Sequence, residues 1–332
     1  MPATSQAVTM RSFRRGDGAA LAAAWTDAAP TDGITAHRFR DLFLLDRNFD
    51  ASGLFVAETG GNLVGSAYAV RRRIAQDADD LEPSSGWIPY FFVHPEAAGQ
   101  GIGRTLVSAA LDWLHDHGTT TVYFSSYTPN YFLPGLDIVR YPAAAKLLTS
   151  LGFTTQYQSV AMDYSLNDHT TPQRVRALIS DLRGQGYILR SPTDDDLVDL
   201  IDIAGQFNSD WSRAIREAVL NALPLERILT ARHPSGAMLG WAMHGTYEHV
   251  LERFGPFGVL PEARGTGLGE VLLHLTLERM RAFGAHSAWF LWTDEDSPAG
   301  HLYTKTGFTI TRKFSILHHQ LDDPASEPDR HH

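Results

Sequence analysis

The chain has 332 residues, 43% of them hydrophobic, and a formal net charge of −10. That length exceeds one ordinary domain and carries enough apolar material for a substantial core, so two domains are the default expectation. The lack of cysteine removes disulfide frameworks, thiolate metal sites and cysteine nucleophiles, the acidic balance speaks against a nucleic-acid partner, and no apolar run reaches the roughly 20 residues of a membrane span.

In chain order, Thr9-Met10-Arg11 reads as a short strand leading through Asp17 into an amphipathic helix. Leu54 to Glu58, a Thr59-Gly60-Gly61-Asn62 turn and Leu63 to Tyr68 then read as a hairpin. Phe91-Phe92-Val93 ends a strand at Pro95, and a glycine-rich run opens a helix that closes near Gly118. Tyr127 to Asp137 is rich in aromatics and prolines; it reads first as packing between the two halves and second as the lining of a substrate cavity. Gly152-Phe153-Thr154 starts another strand.

The same order then starts again. Ile188-Leu189-Arg190 leads to Asp194 to Asp196, Ile228 to Ala231 and Met238 to Ala242 flank a turn, and Phe257-Gly258-Val259 precedes a second glycine run whose helix closes near Gly284. Ala288 to Trp292 suits a strand buried on both faces, and Gly307-Phe308-Thr309 opens the last strand. Residues 1–166 and 167–332 are therefore expected to be two copies of one domain, with a disordered tail from about residue 322. The expected fold class is α/β (α+β): two tandem domains, each a mixed, splayed central sheet flanked by helices.

The glycine runs match without a gap. Val93-His94-Pro95-Glu96-Ala97-Ala98-Gly99-Gln100-Gly101-Ile102-Gly103 and Val259-Leu260-Pro261-Glu262-Ala263-Arg264-Gly265-Thr266-Gly267-Leu268-Gly269 share the form V-x-P-E-A-x-G-x-G-x-G. Glycines let the backbone turn tightly with its amides uncovered, and the helix that follows adds unpaired N–H groups and the positive end of its dipole, which suits a pyrophosphate. The spacing differs from the dinucleotide-binding fingerprint, and no Gly-Lys-Ser/Thr follows as in a Walker loop.

These residues resemble the GNAT superfamily of acetyl-CoA-dependent N-acyltransferases, in the tandem arrangement of mycothiol synthase-like actinobacterial members. Arg264, Gly267 and Gly269 match its R/Q-x-x-G-x-G/A loop, and Leu302-Tyr303-Thr304-Lys305-Thr306-Gly307-Phe308 its L-Y-x-x-x-G-F motif. The resemblance implies acetyl transfer from acetyl-CoA, as co-substrate, directly to a primary amine of a small molecule or peptide, with no metal. It puts Tyr303 at the general-acid position, since a phenol can protonate a departing thiolate of similar basicity.

The halves differ at the chemistry. Ala98 stands where the second copy has Arg264, and Leu148 where it has Tyr303, so catalysis is expected in the C-terminal domain beside a degenerate N-terminal one. Glu252 leads the candidates for general base, ahead of Glu248, Asp294, Glu295 and Asp296. The expected cofactor contacts are Val259, Arg264, Gly265, Thr266, Gly267, Leu268 and Gly269, with Val93, Gly99, Gln100, Gly101, Ile102 and Gly103 in the first copy. The chain is expected to be cytoplasmic, away from membranes, and a monomer or homodimer; the alternative function is a non-catalytic acyl-CoA-binding or regulatory module.

Overall fold

The computed structural model describes residues 7–75 and 80–322. The expected disordered tail falls, beyond Asp322, outside the described residues. The first copy runs β1 (Val8–Ser12), α1 (Asp17–Ala28), α2 (Ala36–Phe39), β2 (Leu54–Thr59), β3 (Asn62–Val70), β4 (Ser85–Val93), α3 (Ile102–Asp116), β5 (Thr121–Phe124), α4 (Pro142–Ser150) and β6 (Thr154–Ser165). The second runs α5 (Gln173–Gly184), β7 (Ile188–Arg190), α6 (Leu197–Phe207), α7 (Ser209–Leu220), β8 (Ile228–Arg232), β9 (Met238–His244), β10 (Phe254–Val259), α8 (Leu268–Ala282), β11 (Ser287–Thr293), α9 (Pro298–Thr306) and β12 (Thr309–Gln320). No helix among the described residues is long and apolar enough to cross a membrane.

Each copy opens with the same electrostatic device. Arg11 on β1 pairs with Asp17 at the start of α1 (2.7 Å) and with Glu58 on β2 (2.5 Å). Arg190 on β7 pairs with Asp196 just before α6 (2.6 Å), which also takes Arg232 of β8 (2.7 Å). Asp196 further closes a capping box with Thr193, accepting its N–H at 2.7 Å. Charge-assisted bonds of this kind fix the angle at which a helix leaves its strand.

The chain divides into two compact units that do not end where the sequence repeat ends. One holds the residues up to Ala75, residues 81–158 and residues from 314 on; the other holds Asp80 and residues 159–313. A cut at 166 follows the repeat, whereas β6 and β12 each contribute one half to each compact unit.

In the first unit β1 to β4 form an antiparallel meander, and β4 pairs with β5 in parallel from Ser85↔Thr121 to Ile88↔Phe124. The far side of β5 is closed by β12, Leu317 opposite Phe124. Trp25, Phe39, Phe43, Tyr90 and Phe92 pack the α1 and α2 face, while Ile88, Leu106, Ala110, Leu114 and Val122 pack the α3 face. In the second unit β7 to β10 form an antiparallel sheet, β11 pairs with the second half of β6, and Arg253↔Trp289 is the bridge from the β10 side to β11. Ala288 and Phe290 of β11 are buried, but Trp289 and Leu291 are only partly so. The expectation of a strand buried on both faces is corrected: β11 alternates, with one face on the core.

Candidate functional site

Both units place their glycine run at a strand-to-helix corner. Gly99 and Gly101 have φ of 77° and 81°, Gly265 and Gly267 have 78° and 82°, and Gly101 and Gly267 cap α3 and α8. Left-handed backbone explains why the sequence needs glycine there: a Cβ costs about 1–2 kcal/mol per residue in that region. The helical amides behind each corner are a ready donor set for an anion.

What surrounds the corners differs. A Cβ on Gly101 would meet nothing within 4 Å, whereas one on Gly267 would lie 2.4 Å from Leu178 of α5. Arg174, one turn earlier on α5, pairs with Glu270 in the first turn of α8 (2.5 Å), and Lys305 approaches the same carboxylate at 3.6 Å. In the second unit Thr266 accepts the Leu268 N–H through its hydroxyl (3.3 Å), occupying one amide of the helix end. Arg264 is exposed beside it.

In the first unit β4 and β5 part company after Ile88. Pro89 has no N–H to offer a ladder, and Ser125, with φ of 63°, turns β5 away after donating its N–H to the Ile88 carbonyl at 2.8 Å. A cavity of about 590 Å³ occupies the gap. Its α3 side is formed by Val93, Ala98, Gly99, Gly101, Ile102 and Gly103 with Leu147 of α4; its α1 side by Trp25, Tyr90, Phe92 and Phe132. The cavity therefore runs from the glycine corner through the sheet to the other face. Asp32 and Tyr141 also line it, the Tyr141 hydroxyl donating to Asp32 Oδ2 at 2.5 Å. Asp137 lines it too, buried and accepting the Arg140 N–H at 2.9 Å.

The corresponding space in the second unit holds rings. Tyr303 on α9 is buried against Phe290 (centroids 4.5 Å apart), Phe308 (5.5 Å), Phe254 (6.0 Å) and Phe257 (6.2 Å). Burial pushes its phenol well above the ordinary tyrosine range, because an anionic ring oxygen would be stranded in apolar surroundings. Glu252 is half-buried ahead of β10, its main-chain carbonyl accepting the Trp289 N–H at 2.9 Å. Glu248 is held by Arg253 at 3.0 Å, Glu295 by Lys313 at 2.6 Å, and Asp294 accepts the Asp296 N–H at 3.0 Å.

The structure thus brings Val93, Gly99, Gly101, Ile102 and Gly103 together on one cavity wall, with Gln100 exposed at the tip of the loop. It brings Val259, Gly265, Thr266, Gly267, Leu268 and Gly269 together at a second corner, where Leu178 stands against Gly267 while Gly265 is open. Sequence reasoning passed over Trp25, Asp32 and Leu178, none of which lies in a motif; Phe132 and Asp137, in the aromatic stretch read first as packing between the halves, line the cavity.

A splayed sheet crossed by a cavity that starts at a glycine-rich helix corner is the architecture of an acyl-CoA-dependent transferase. The model of the acetyltransferase (GNAT) family matches residues 19–132 and 202–308, and the chain belongs to that family. An uncharacterized N-acetyltransferase of Mycobacterium tuberculosis is 34% identical over 102 residues, 30% of this chain and 65% of that protein. A mycothiol acetyltransferase of Streptomyces bingchenggensis is 30% identical over 159 residues, 46% of this chain and 45% of its own length, so the chain matches less than two thirds of either relative. Among solved structures, the GCN5-related glucosamine N-acetyltransferase region of a fungal multi-domain GH3 β-N-acetylglucosaminidase superposes with a TM-score of 0.79 at 17% identity, covering 95% of this chain and 38% of that one. A tandem GNAT protein from the clavulanic acid biosynthesis pathway gives 0.64 at 16%, covering 95% and 98%. These two likenesses establish the tandem fold.

Proposed function

We propose that the chain transfers an acetyl group from acetyl-CoA to a primary amine of a small molecule or peptide, and that transfer takes place in the first unit. The family uses acetyl-CoA, and the cradle fits it: Gly99 and Gly101 are open where a Cβ would stand, and their corner opens into the cavity. That continuity from cradle to cavity is the observation that carries the reading. The α3 amides and the loop glycines would hold the pyrophosphate, and the β4 edge that β5 leaves after Ile88 would take the extended arm as a strand partner.

Acetyl-CoA supplies an activated thioester there. The chain's own contribution is to bind it in line with a neutral amine, to exclude water with the aromatic wall, and to take the proton shed by the nitrogen on a carboxylate lining the cavity. The N–C bond forms as the C–S bond breaks, and that proton passes to the departing thiolate, so that coenzyme A leaves as its thiol. Asp32 is placed for that task, with the Tyr141 hydroxyl fixing its orientation. The chain is proposed to act in the cytoplasm, as a monomer or homodimer.

A second reading places transfer in the C-terminal unit, with Tyr303 as acid, Glu252 as base and Arg264 on the pyrophosphate. The complete sequence motif favours it. Thiol release separates the two, and a chain without cysteine gives no background in that assay. The first-unit reading expects Gly101→Val to lower kcat/KM by about 100-fold or more, the loss of roughly 2.7 kcal/mol of binding, and Tyr303→Phe to change it by less than about twofold. The reverse pattern would move catalysis to the second unit. Unchanged activity in both variants would leave the glycine corners without a catalytic role.

A further inference from the structure

The two copies place a cation differently at the glycine corner. In the register that aligns the glycines, the loop position of Arg264 holds Ala98 in the first copy, and the helix position of Glu270 holds Arg104. The loop backbone is the same in both, with φ −64° and ψ 153° at Ala98 against −67° and 151° at Arg264. The first copy thus keeps the shape of the loop, lacks its cation, and carries one instead as the third residue of α3.

Arg104 lines the cavity next to Gly101, Ile102, Gly103 and Leu147. Its guanidinium donates to Ser150 Oγ at 2.6 Å, and that hydroxyl donates in turn to the Leu147 carbonyl at 2.7 Å. A neutral hydroxyl takes one of the five guanidinium N–H groups and none of its charge. Arg104 pairs with no carboxylate among the described residues. The acids of the same wall have other partners, Asp137 with Arg140 at 3.8 Å and Asp32 with the Tyr141 hydroxyl. In the second copy the charge is reversed: Glu270 sits in the first turn of α8, where Arg174 meets it at 2.5 Å and Lys305 at 3.6 Å.

A cation in the first turn of a helix stands against the positive end of the dipole, and the first turn of α3 holds no acid to offset it. An anion at that end reverses the sign, because the amides and the guanidinium then converge on one charge. We propose that Arg104 binds a phosphate of acetyl-CoA in the first unit, supplying from the helix the charged contact that Ala98 leaves out of the loop. This rests on the first unit's corner being the acetyl-CoA cradle.

The test titrates the full chain calorimetrically with acetyl-CoA, CoA and 3′-dephospho-CoA at low and high salt. Arg104→Ala is expected to weaken acetyl-CoA by about tenfold at low salt and to flatten the dependence on salt. Arg15→Ala removes the same charge from an exposed position ahead of α1 and should stay within about twofold of wild type. Adding Ala98→Arg to Arg104→Ala should restore most of the affinity, since the loop backbone there matches the one that carries Arg264. A loss that persists with 3′-dephospho-CoA assigns Arg104 to the diphosphate, and a loss confined to CoA and acetyl-CoA assigns it to the 3′-phosphate; either supports the inference.

An Arg104→Ala chain within about twofold of wild type would overturn it. So would a loss that leaves the salt dependence unchanged and that Ala98→Arg does not restore, which is the mark of a structural role. Acetyl-CoA binding that survives Gly101→Val would overturn the first-unit reading, and this inference with it. Binding lost in Gly101→Val but kept in Arg104→Ala would overturn this inference alone.

Discussion

Gly101 and Gly267 occupy one backbone in two surroundings. Their φ angles differ by a single degree, 81° against 82°, and each caps a helix of 15 residues. One corner opens onto a cavity of about 590 Å³, and in the other Leu178 of α5 stands against Gly267 with Arg174 fastened to Glu270 beside it. The same contrast continues inward, where the first unit has space between β4 and β5 and the second has Tyr303 packed among four phenylalanines. A duplicated motif thus reproduces a backbone, while the elements packed on that backbone decide whether a ligand can reach it.

The largest effect that would break this comparison belongs to the corner glycines. Gly101→Val is expected to weaken acetyl-CoA by about 100-fold or more in calorimetry, through strained left-handed backbone and a filled cradle. Gly267→Val should leave that affinity unchanged and instead destabilise the second unit by about 1–3 kcal/mol, read as a lower urea midpoint, because the new side chain is strained and meets Leu178. Next in size, Leu178→Ala should uncover the second corner. A second, weaker acetyl-CoA site is expected in the same titration, together with a loss of about 2 kcal/mol of stability for a partly buried leucine.

The smallest effect is one of pH. His169, His244 and His274, all in the second unit, are the fully buried histidines among the described residues. Burial holds His244 and His274 down at about 4, His274 helped by the stacked His169 at 5.4 Å, and burial lowers His169 as well. Around His274 stand Glu270 and Glu278, which oppose that shift, and Arg174, which adds to it. These rings are neutral in the fold, whereas an unfolded chain takes up their protons below about 6.5. Stability is therefore whole above pH 6.5 and declines as pH falls toward 4. Pulsed hydrogen exchange after urea equilibration at pH 7 and pH 5 should show a larger drop in midpoint for β8 and β9 than for β2 and β3. Equal drops would remove the buried histidines as the cause.

Much of the fold is legible in the residues themselves. The hairpins at Leu54 to Tyr68 and Ile228 to Ala242, the glycine corners and the helix stops at Gly118 and Gly284 all follow from local turn chemistry and periodicity. The sharing of β6 and β12 between units is not legible, since Gly152-Phe153-Thr154 and Gly307-Phe308-Thr309 read as strand starts whichever sheet the strand joins. The cradle was legible for the same local reason that made the turn legible. Its access was not: Leu178 and Asp32 lie outside any motif and far along the chain from the residues they meet, and nothing in their neighbourhood marks them. Tyr303 shows the converse, a residue with a strong motif that the structure surrounds with rings.

Hydrogen exchange of the wild-type chain with saturating acetyl-CoA tests the central claim most directly, because bound phosphate hydrogen-bonds and protects the amides it touches. The account predicts protection over Gly99 to Leu106 with Gly265 to Leu272 unchanged. Protection at Gly265 to Leu272 with none at Gly99 to Leu106 would contradict it.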